Sequence, residues 1–177
     1  MTAGPYIRVA TATDVGEILA LIRDLAEYER EPQAVTATTA DLLRDGFGEN
    51  PRFHVLLACL AGEGDATESG AGAGAGEQIA GFAFYFFAYS TWRAQPTLYL
   101  EDLFVRPAYR RHGLGIALMR RLAAEAVKTG CGRFQWQVLD WNEPAVRFYE
   151  SLGGKVLKEW WTVRVEGDAI AALAESR

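Results

Sequence analysis

Two arginines and two glycines stand close together in the hexapeptide RRHGLG, residues 110–115. The hexapeptide separates an apolar run at 98–105 from an amphipathic run at 116–127, where a strand would end and a helix begin. The first N–H groups of a helix have no partner within it, and the helix dipole makes that end partly positive. Glycine lets a ligand approach this backbone, and the arginines add full charges. The spacing favours a cradle for a diphosphate over the alternative, a basic turn that starts a helix.

Two adjacent carboxylates, Glu101 and Asp102, lie in the middle of the apolar run 98–105. Neighbours on a strand point to opposite faces, so at least one of them faces the core or a cleft. Burying an unpaired carboxylate is costly, and proteins keep such groups mostly where they pair or act. We favour a functional role, more for Glu101 than for Asp102, over a structural ion pair with an arginine.

Hydrophobic periodicity predicts the elements that would position these residues. The first helix has an apolar stripe at Ile18, Leu21, Ile22, Leu25 and Tyr28, and Asp14 would cap it. The predicted order is strand 6–10, the first helix, a short helix at about 39–45, strands 53–60, 79–89 and 98–105, helix 114–128, strand 133–139, helix 143–152 capped by Asn142, strand 158–166 and a terminal helix 168–175. We predict an α+β (mixed α/β) fold, with one mixed sheet and helices on both faces.

One domain over 1–177 is expected, with the glycine- and alanine-rich residues 62–77 as a flexible loop. The net charge of -5 argues against nucleic acid as a main partner. Only two histidines occur, so a histidine-based metal site is not expected. Cys59 and Cys131 form no CxxC pair and indicate reduced thiols. No signal peptide is evident, and the run 79–89 is too short to span a membrane. A cytoplasmic protein is expected.

The segments LEDLFVRPAYRRHGLGIALMRRL (100–122) and WNEPAVRFYESLG (141–153) resemble the GCN5-related N-acetyltransferases, the GNAT superfamily. In that superfamily an [RQ]-x-x-G-x-[GA] loop binds the pyrophosphate of acetyl-CoA. The likeness is closer to the diamine acetyltransferases of the spermidine/spermine type, across about residues 6–165. It implies a GNAT-type sheet, acetyl-CoA as co-substrate, no metal, a small cationic amine as acceptor, and a homodimer.

The resemblance also implies roles for particular residues. Backbone contacts to acetyl-CoA would come from Leu103, Phe104 and Val105. Its phosphates would lie over Arg111, His112, Gly113, Leu114, Gly115 and Ile116, with Arg110 beside them, and its other side would meet Asn142, Glu143, Pro144 and Ala145. The acceptor would meet Tyr28, Glu29, Trp92, Glu101, Asp102, Gln135, Trp136 and Gln137. Tyr149 occupies the position of the family's general acid.

Acetyl transfer to an amine gives these residues their chemistry. An alkylammonium has a pKa near 10.4, so roughly one molecule in a thousand is neutral and able to attack at pH 7. Glu101 would remove the proton, acting through water, and the Tyr149 phenol would protonate the departing thiolate. Backbone N–H groups of a splayed strand would stabilise the oxyanion. From the residue pattern alone, each role has an alternative. For Tyr149 the alternative is packing beside Phe148, and for Tyr28 and Glu29 it is a solvent-exposed helix end.

The acceptor stays open at this point. Ala20 stands where the polyamine enzymes commonly have an arginine, and residues 62–77 differ from theirs as well. A diamine, a lysine-like amino acid such as thialysine, or another small primary amine fits the residues. Direct transfer is expected because both cysteines lie away from the motifs. A protein-lysine acetyltransferase and a non-catalytic acetyl-CoA sensor are the alternative functions.

Overall fold

A computed structural model describes residues 4–61 and 77–175. The chain divides into two compact units, of which one extends to Gln137 and the other begins at Val138. The predicted single domain stays a prediction. The predicted loop 62–77 lies outside the described residues except for Glu77.

The first unit contains a five-stranded sheet in the order β1-β2-β3-β4-β5. Strands β1 to β4 pair antiparallel with one another in chain order, and β5 runs parallel to β4. The sheet is therefore mixed, and it confirms the predicted α+β class. The strands are β1 Tyr6–Val9, β2 His54–Leu60, β3 Gln78–Ser90, β4 Gln95–Val105 and β5 Arg133–Trp136.

Helices cover both faces of this sheet, as predicted. They are α1 Val15–Tyr28, α2 Thr39–Gly46 and α3 Leu114–Lys128. The apolar stripe of α1 is buried in one cluster with side chains of β2, β3 and β4, among them Phe82 and Phe104. The buried stripe of α3, formed by Leu114, Leu118 and Leu122, lies outside that cluster. Because side chains alternate across a strand, this second stripe packs on the opposite face of the sheet.

Asp14 does not cap α1 with its side chain, contrary to the sequence prediction. Its carboxylate accepts hydrogen bonds from Thr11 and from both terminal nitrogens of Arg8, each of the latter at 2.8 Å. Arg8 also contacts Glu77, 2.7 Å away. The charged partner on β1 competes successfully for Asp14, because hydrogen bonds between ions are stronger than those to a neutral amide. The cluster fixes the start of α1 to β1 and to the residue before β3.

The second unit contains α4 Glu143–Ser151 and α5 Asp168–Glu175, which confirms both helix predictions. The predicted strand 158–166 is wrong, since no strand forms among the described residues after Trp136. For the same reason the predicted strand 133–139 ends three residues early. A strand needs a neighbour for its backbone hydrogen bonds, and the aromatic and β-branched composition of 158–166 cannot supply one. Trp160, Trp161 and Val163 are 69%, 88% and 89% exposed.

Candidate active site

The predicted cradle lies at the start of α3, with Gly113 as the residue before the helix. No side chain caps this end, and a methyl group added to Gly113 would meet nothing within 4 Å. Arg111 and Gly113 both have a left-handed backbone, with φ of 66° and 76°. Successive turns of this kind direct backbone N–H groups outwards and favour anions. The helix end is therefore open to an anionic ligand.

Strand β4 has an unpaired edge beside this helix end. Its parallel pairing with β5 ends at Leu100 opposite Trp136, whereas its pairing with β3 continues to Val105 opposite Gly81. No other strand of the described residues joins β4 on the side of β5. The two parallel strands therefore leave the segment 101–105 with one edge that no strand covers.

The backbone groups of Leu103 and Val105 face this unpaired edge. The backbone N–H of Arg106 donates to the Ala80 carbonyl at 2.9 Å, so the backbone groups of Arg106 face β3. Successive residues of a strand direct their N–H and C=O groups to opposite edges, so those of Val105 and Leu103 face away from β3. An extended ligand lying along the edge would find N–H donors and carbonyl acceptors at strand spacing.

A β-bulge lies at Glu101. Asp102 is opposite Phe84 and Leu100 is opposite Tyr85, so Glu101 has no partner of its own on β3. The extra residue shifts the alternation of the strand. Leu100 faces the side of α3, while Asp102 shares the α1 side with Phe84 and Phe104. The bulge thus brings Asp102 to the α1 face, where plain alternation would have left it on the α3 side.

Two further carboxylates, Glu101 and Glu29, act electrostatically on Asp102. The pKa of Asp102 is raised to about 7, mainly by burial and further by the charges of Glu101 and Glu29. Burial also raises the pKa of Glu29 at the end of α1. Among the described residues no lysine, arginine or histidine forms an ion pair with any of the three. This group of like charges favours a bound cation.

Arg110 is exposed, but its side chain folds back along the loop before α3. Its Nε donates to the Val105 carbonyl at 2.9 Å, and its guanidinium lies over the rings of Tyr28 and Phe104. Those rings are 6.3 Å apart. The side chain therefore joins the loop before α3 to the end of α1. Arg111 and His112 are exposed and are the cationic and polar side chains that the loop presents outwards.

The second unit places the other predicted residues on α4. Asn142 caps this helix by accepting a hydrogen bond from the Ala145 N–H at 3.3 Å, and Pro144 lies in its first turn. Glu143 is exposed and pairs with Arg147 at 2.9 Å. Tyr149 is half-buried, with its ring 5.3 Å from that of Phe148.

The remaining predicted acceptor residues are only partly brought together. Gln135 and Trp136 lie on β5 opposite Tyr99 and Leu100, next to the bulge, and Gln137 follows the strand. Trp92 lies in the turn between β3 and β4 and is 85% exposed. Seven strand residues separate that turn from Asp102, a distance of about 20 Å. The structure does not bring Trp92 to the three carboxylates.

Sequence reasoning missed Gly81, which lies close to the backbone of Phe104 and Val105 from the neighbouring strand. A Cβ atom there would lie 2.4 Å from the Phe104 carbonyl oxygen and 2.9 Å from the Val105 Cα. A glycine inside a strand is the signal for such a close backbone approach, and IAGFAF carries it.

Neither a metal site nor a membrane helix is found in the described part of the chain. Residues 4–61 and 77–175 contain no group of three histidine, cysteine or acidic side chains able to hold a metal ion. Over the same residues, no helix has the length and apolar character needed to cross a bilayer.

An open helix end beside an unpaired strand edge offers backbone N–H groups to an extended, anionic ligand. Residues 22–154 match the model of the acetyltransferase (GNAT) family. The chain belongs to the GNAT acetyltransferase family, and it is an N-acetyltransferase.

Relatives and solved structures agree with this assignment. The chain is 41% identical to the thialysine N-epsilon-acetyltransferase of Sus scrofa over 97% of its own length and 98% of the relative. It is 34% identical to an L-ornithine N5-acetyltransferase of Arabidopsis thaliana, covering 94% and 86%. An integron cassette protein from the mobile metagenome of V.cholerae has a similar fold, with a TM-score of 0.74, 25% identity and coverage of 98% and 99%.

Proposed function

We propose that this enzyme transfers the acetyl group of acetyl-CoA directly to a primary amine of a small cationic acceptor. The observation that carries the proposal is the group Glu29, Glu101 and Asp102 next to the unpaired edge of β4. The unpaired edge would hydrogen-bond the extended arm of the coenzyme, and the carboxylates would attract an ammonium group. One site therefore offers both substrates a complementary surface.

The coenzyme contacts follow from the open backbone. Leu103 and Val105 would hydrogen-bond the pantetheine arm along β4, and Phe104 would support them from the core side. The N–H groups of residues 113–116 would bind the diphosphate, with Arg111 adding charge. Asn142, Glu143, Pro144 and Ala145 remain the proposed contacts on the other side of the coenzyme.

The acceptor is proposed from charge and from the relatives. Two relatives are named for thialysine and L-ornithine, amino acids that carry a side-chain amine. A human relative is named spermidine/spermine N(1)-acetyltransferase-like protein 1; it is 40% identical over 88% of this chain and 21% of the relative. Glu29, Glu101 and Asp102 would hold the ammonium, and the ring of Tyr28 would add cation–π attraction. Thialysine, ornithine and short diamines are the first acceptors to test.

The proposed chemistry is a direct attack. Glu101 takes a proton from the ammonium through a water molecule and passes it to solvent, and the neutral nitrogen attacks the thioester carbon. The C–N bond forms, the C–S bond breaks, and Tyr149 gives its proton to the departing sulfur. The Tyr149 phenolate then takes the second proton from the new amide nitrogen. Neither cysteine fits a nucleophile: burial raises the pKa of the Cys59 thiol to about 12, and Cys131 lies in the turn after α3.

The test is a panel of amines incubated with acetyl-CoA, with released thiol as the readout. The panel contains thialysine, ornithine, putrescine, spermidine, lysine and a histone-like peptide. We expect turnover with one or more of the small amines. Turnover with the peptide alone would assign a protein-lysine acetyltransferase, and binding of acetyl-CoA without turnover would assign a sensor.

A homodimer and a cytoplasmic location are further parts of the proposal. The large apolar side chains of Trp160, Trp161 and Val163 are 69%, 88% and 89% exposed. A second copy of the chain would bury them. Light scattering at micromolar concentration tests this: a monomeric mass contradicts the dimer.

A further inference from the structure

Arg106, the residue that follows β4, contacts three elements of the first unit. Its Nε donates to the Asp24 carboxylate at 2.7 Å, and one terminal nitrogen donates to the Glu17 carboxylate at 2.6 Å. Both acids belong to α1. The same terminal nitrogen donates to the Ile79 carbonyl of β3 at 2.9 Å. One side chain therefore connects the end of β4 with α1 and with β3.

These ion pairs hold α1 at a defined position along its own axis. Glu17 and Asp24 lie about two turns apart on one face of the helix, and Arg106 contacts both. The buried apolar stripe holds the helix against the sheet, but apolar attraction is non-directional and resists sliding less. Hydrogen bonds between ions have a defined geometry, so a slide of α1 would break them.

The exposure of the three side chains favours a role in position over a role in stability. The side chains of Arg106, Glu17 and Asp24 are all partly exposed. Solvent screens ion pairs of this kind, and they add little to the free energy of unfolding. The stability of α1 on the sheet comes instead from its buried residues, among them Ile18 and Leu21.

The last turn of α1 carries the groups proposed for the acceptor. Asp24 lies one turn before Tyr28, whose ring is 6.3 Å from that of Phe104 on β4. Glu29 follows the helix directly and acts electrostatically on Asp102. A slide of α1 would move Tyr28 and Glu29 along β4 and change their distance from the uncovered edge of that strand.

We propose that Arg106 is a positioning residue that sets which chain length of acceptor the enzyme selects. The proposal rests on the acetyltransferase function proposed above. Arg106 acts through α1: with the helix held, Tyr28 and Glu29 stay at one distance from the edge of β4 proposed for the coenzyme. An acceptor bound to these groups brings its amine to the thioester only when its chain has the matching length.

The test compares acceptors that differ by one methylene group: ornithine with lysine, and putrescine with cadaverine. The ratio of kcat/KM within each pair is measured for the parent and for Arg106→Met, which removes both ion pairs and keeps an unbranched side chain. A shaped site separates such acceptors by about 10-fold or more. We expect that separation in at least one pair for the parent, and a ratio within about threefold of one for Arg106→Met. Instability alone would lower both rates together and leave the ratio unchanged.

Ala20→Arg, combined with Arg106→Met, separates positioning from charge balance. Ala20 lies between Glu17 and Asp24 on the same helix face, so an arginine there can pair with both acids from within α1. The helix regains its ion pairs but stays unconnected to β4, and we expect the ratio to remain near one. Recovery of the parent ratio would overturn the proposal. Arg23→Met removes an exposed cation of the same helix and should keep the parent ratio.

Amide hydrogen exchange gives a readout that does not depend on turnover. Exchange in residues 25–29 should be faster in Arg106→Met and in the combined variant than in the parent. A parent inactive with every amine contradicts the proposed function, and the exchange experiment still decides whether Arg106 holds α1.

Three results overturn the role of Arg106: equal exchange in all variants, an unchanged ratio in Arg106→Met, or a parent that does not discriminate within either pair. If Arg106→Met does not fold, Glu17→Gln together with Asp24→Asn removes the same ion pairs and replaces it.

Discussion

The guanidinium carbon of Arg110 lies 4.7 Å from the centre of the Tyr28 ring. Arg110 belongs to the loop that precedes α3, and Tyr28 is the last residue of α1. The same guanidinium bonds the Val105 carbonyl on the unpaired edge of β4. One side chain thus connects the segment proposed for the coenzyme with the segment proposed for the acceptor.

Replacing Arg110 by alanine should weaken the use of both substrates. The variant loses a cation–π contact and a hydrogen bond, and the end of α1 is no longer held against the loop. We expect the KM of acetyl-CoA and that of the amine each to rise roughly tenfold, which corresponds to about 1.4 kcal/mol. Steady-state kinetics with each substrate varied in turn measures both.

Arg111→Ala is the matched control for Arg110. Arg111 is exposed, so its loss should raise the KM of acetyl-CoA and leave that of the amine unchanged. Equal effects of the two substitutions on both substrates would show that Arg110 makes no special connection.

Tyr149→Phe should lower turnover strongly while acetyl-CoA still binds. The substitution keeps the ring that packs beside Phe148 and removes only the hydroxyl proton offered to the sulfur. A lost general acid typically costs 10² to 10⁴ in rate, so we expect a decrease of about 100-fold or more in kcat.

Thiol-release kinetics and calorimetric titration with acetyl-CoA measure the two properties of this variant. Tyr89→Phe, at an exposed position near the end of β3, serves as the control. A Tyr149→Phe enzyme with the turnover of the parent would remove Tyr149 from the mechanism.

Gly81→Ala should destabilise the sheet at residues 104 and 105 of β4. The new methyl group would meet the Phe104 carbonyl oxygen and the Val105 Cα, which are backbone atoms and cannot rotate away. Strain of this kind costs about 1 to 3 kcal/mol. Urea denaturation measures the change in the free energy of unfolding, and the affinity for acetyl-CoA should fall as β4 shifts.

Gly16→Ala provides the control, because it lies in α1 where an added methyl meets nothing within 4 Å. That variant should be as stable as the parent or up to about 1 kcal/mol more stable, since alanine favours the helix. A Gly81→Ala variant with unchanged stability would mean that β4 tolerates displacement.

The cluster around Arg8 should make the fold sensitive to acid. Hydrogen bonds from Arg8 hold the pKa values of Asp14 and Glu77 at about 2. A lowered pKa in the folded state adds stability above the unfolded value near 4, and this stability is lost as the pH falls towards 2. Because the two carboxylates share one arginine, their joint contribution is on the order of 2 to 3 kcal/mol.

Arg8→Met should remove this contribution and flatten the decline in unfolding free energy between pH 5 and about 2, as followed by urea denaturation. Arg44→Ala is the control, because Arg44 pairs with Asp41 and Asp45 on the exposed surface of α2. It should leave the decline unchanged. A parent protein equally stable at pH 6 and pH 3 would contradict the role of the cluster.

Local patterns predicted the helices well, because caps and apolar stripes act over a few residues. The start of α3 at Leu114, the Asn142 cap and the stripe of α1 follow from the printed sequence. The bulge at Glu101 does not, because it depends on how β4 is paired with β3. The same limit explains the absent strand at 158–166, where composition favours a strand that only a neighbour can complete. The prediction that Asp14 caps α1 was wrong for a related reason, since its partner Arg8 comes from another element.

The chemistry of the site divides along the same line. The [RQ]-x-x-G-x-[GA] spacing locates the open helix end from sequence alone, because both glycine and helix start are local features. The raised pKa of Asp102 does not follow from the motif, because it depends on the burial of this residue beside its partner Phe84. Arg110 likewise has a position that its motif does not reveal, since Tyr28 is distant in sequence.

The uncovered side of residues 101–105 has a consequence for handling the purified enzyme. Exposed backbone donors and acceptors at strand spacing are a template on which another polypeptide can add as an extra strand. A ligand lying along that side would occupy the template. We therefore expect ligand-free preparations to precipitate sooner on concentration or long storage than preparations kept with coenzyme A.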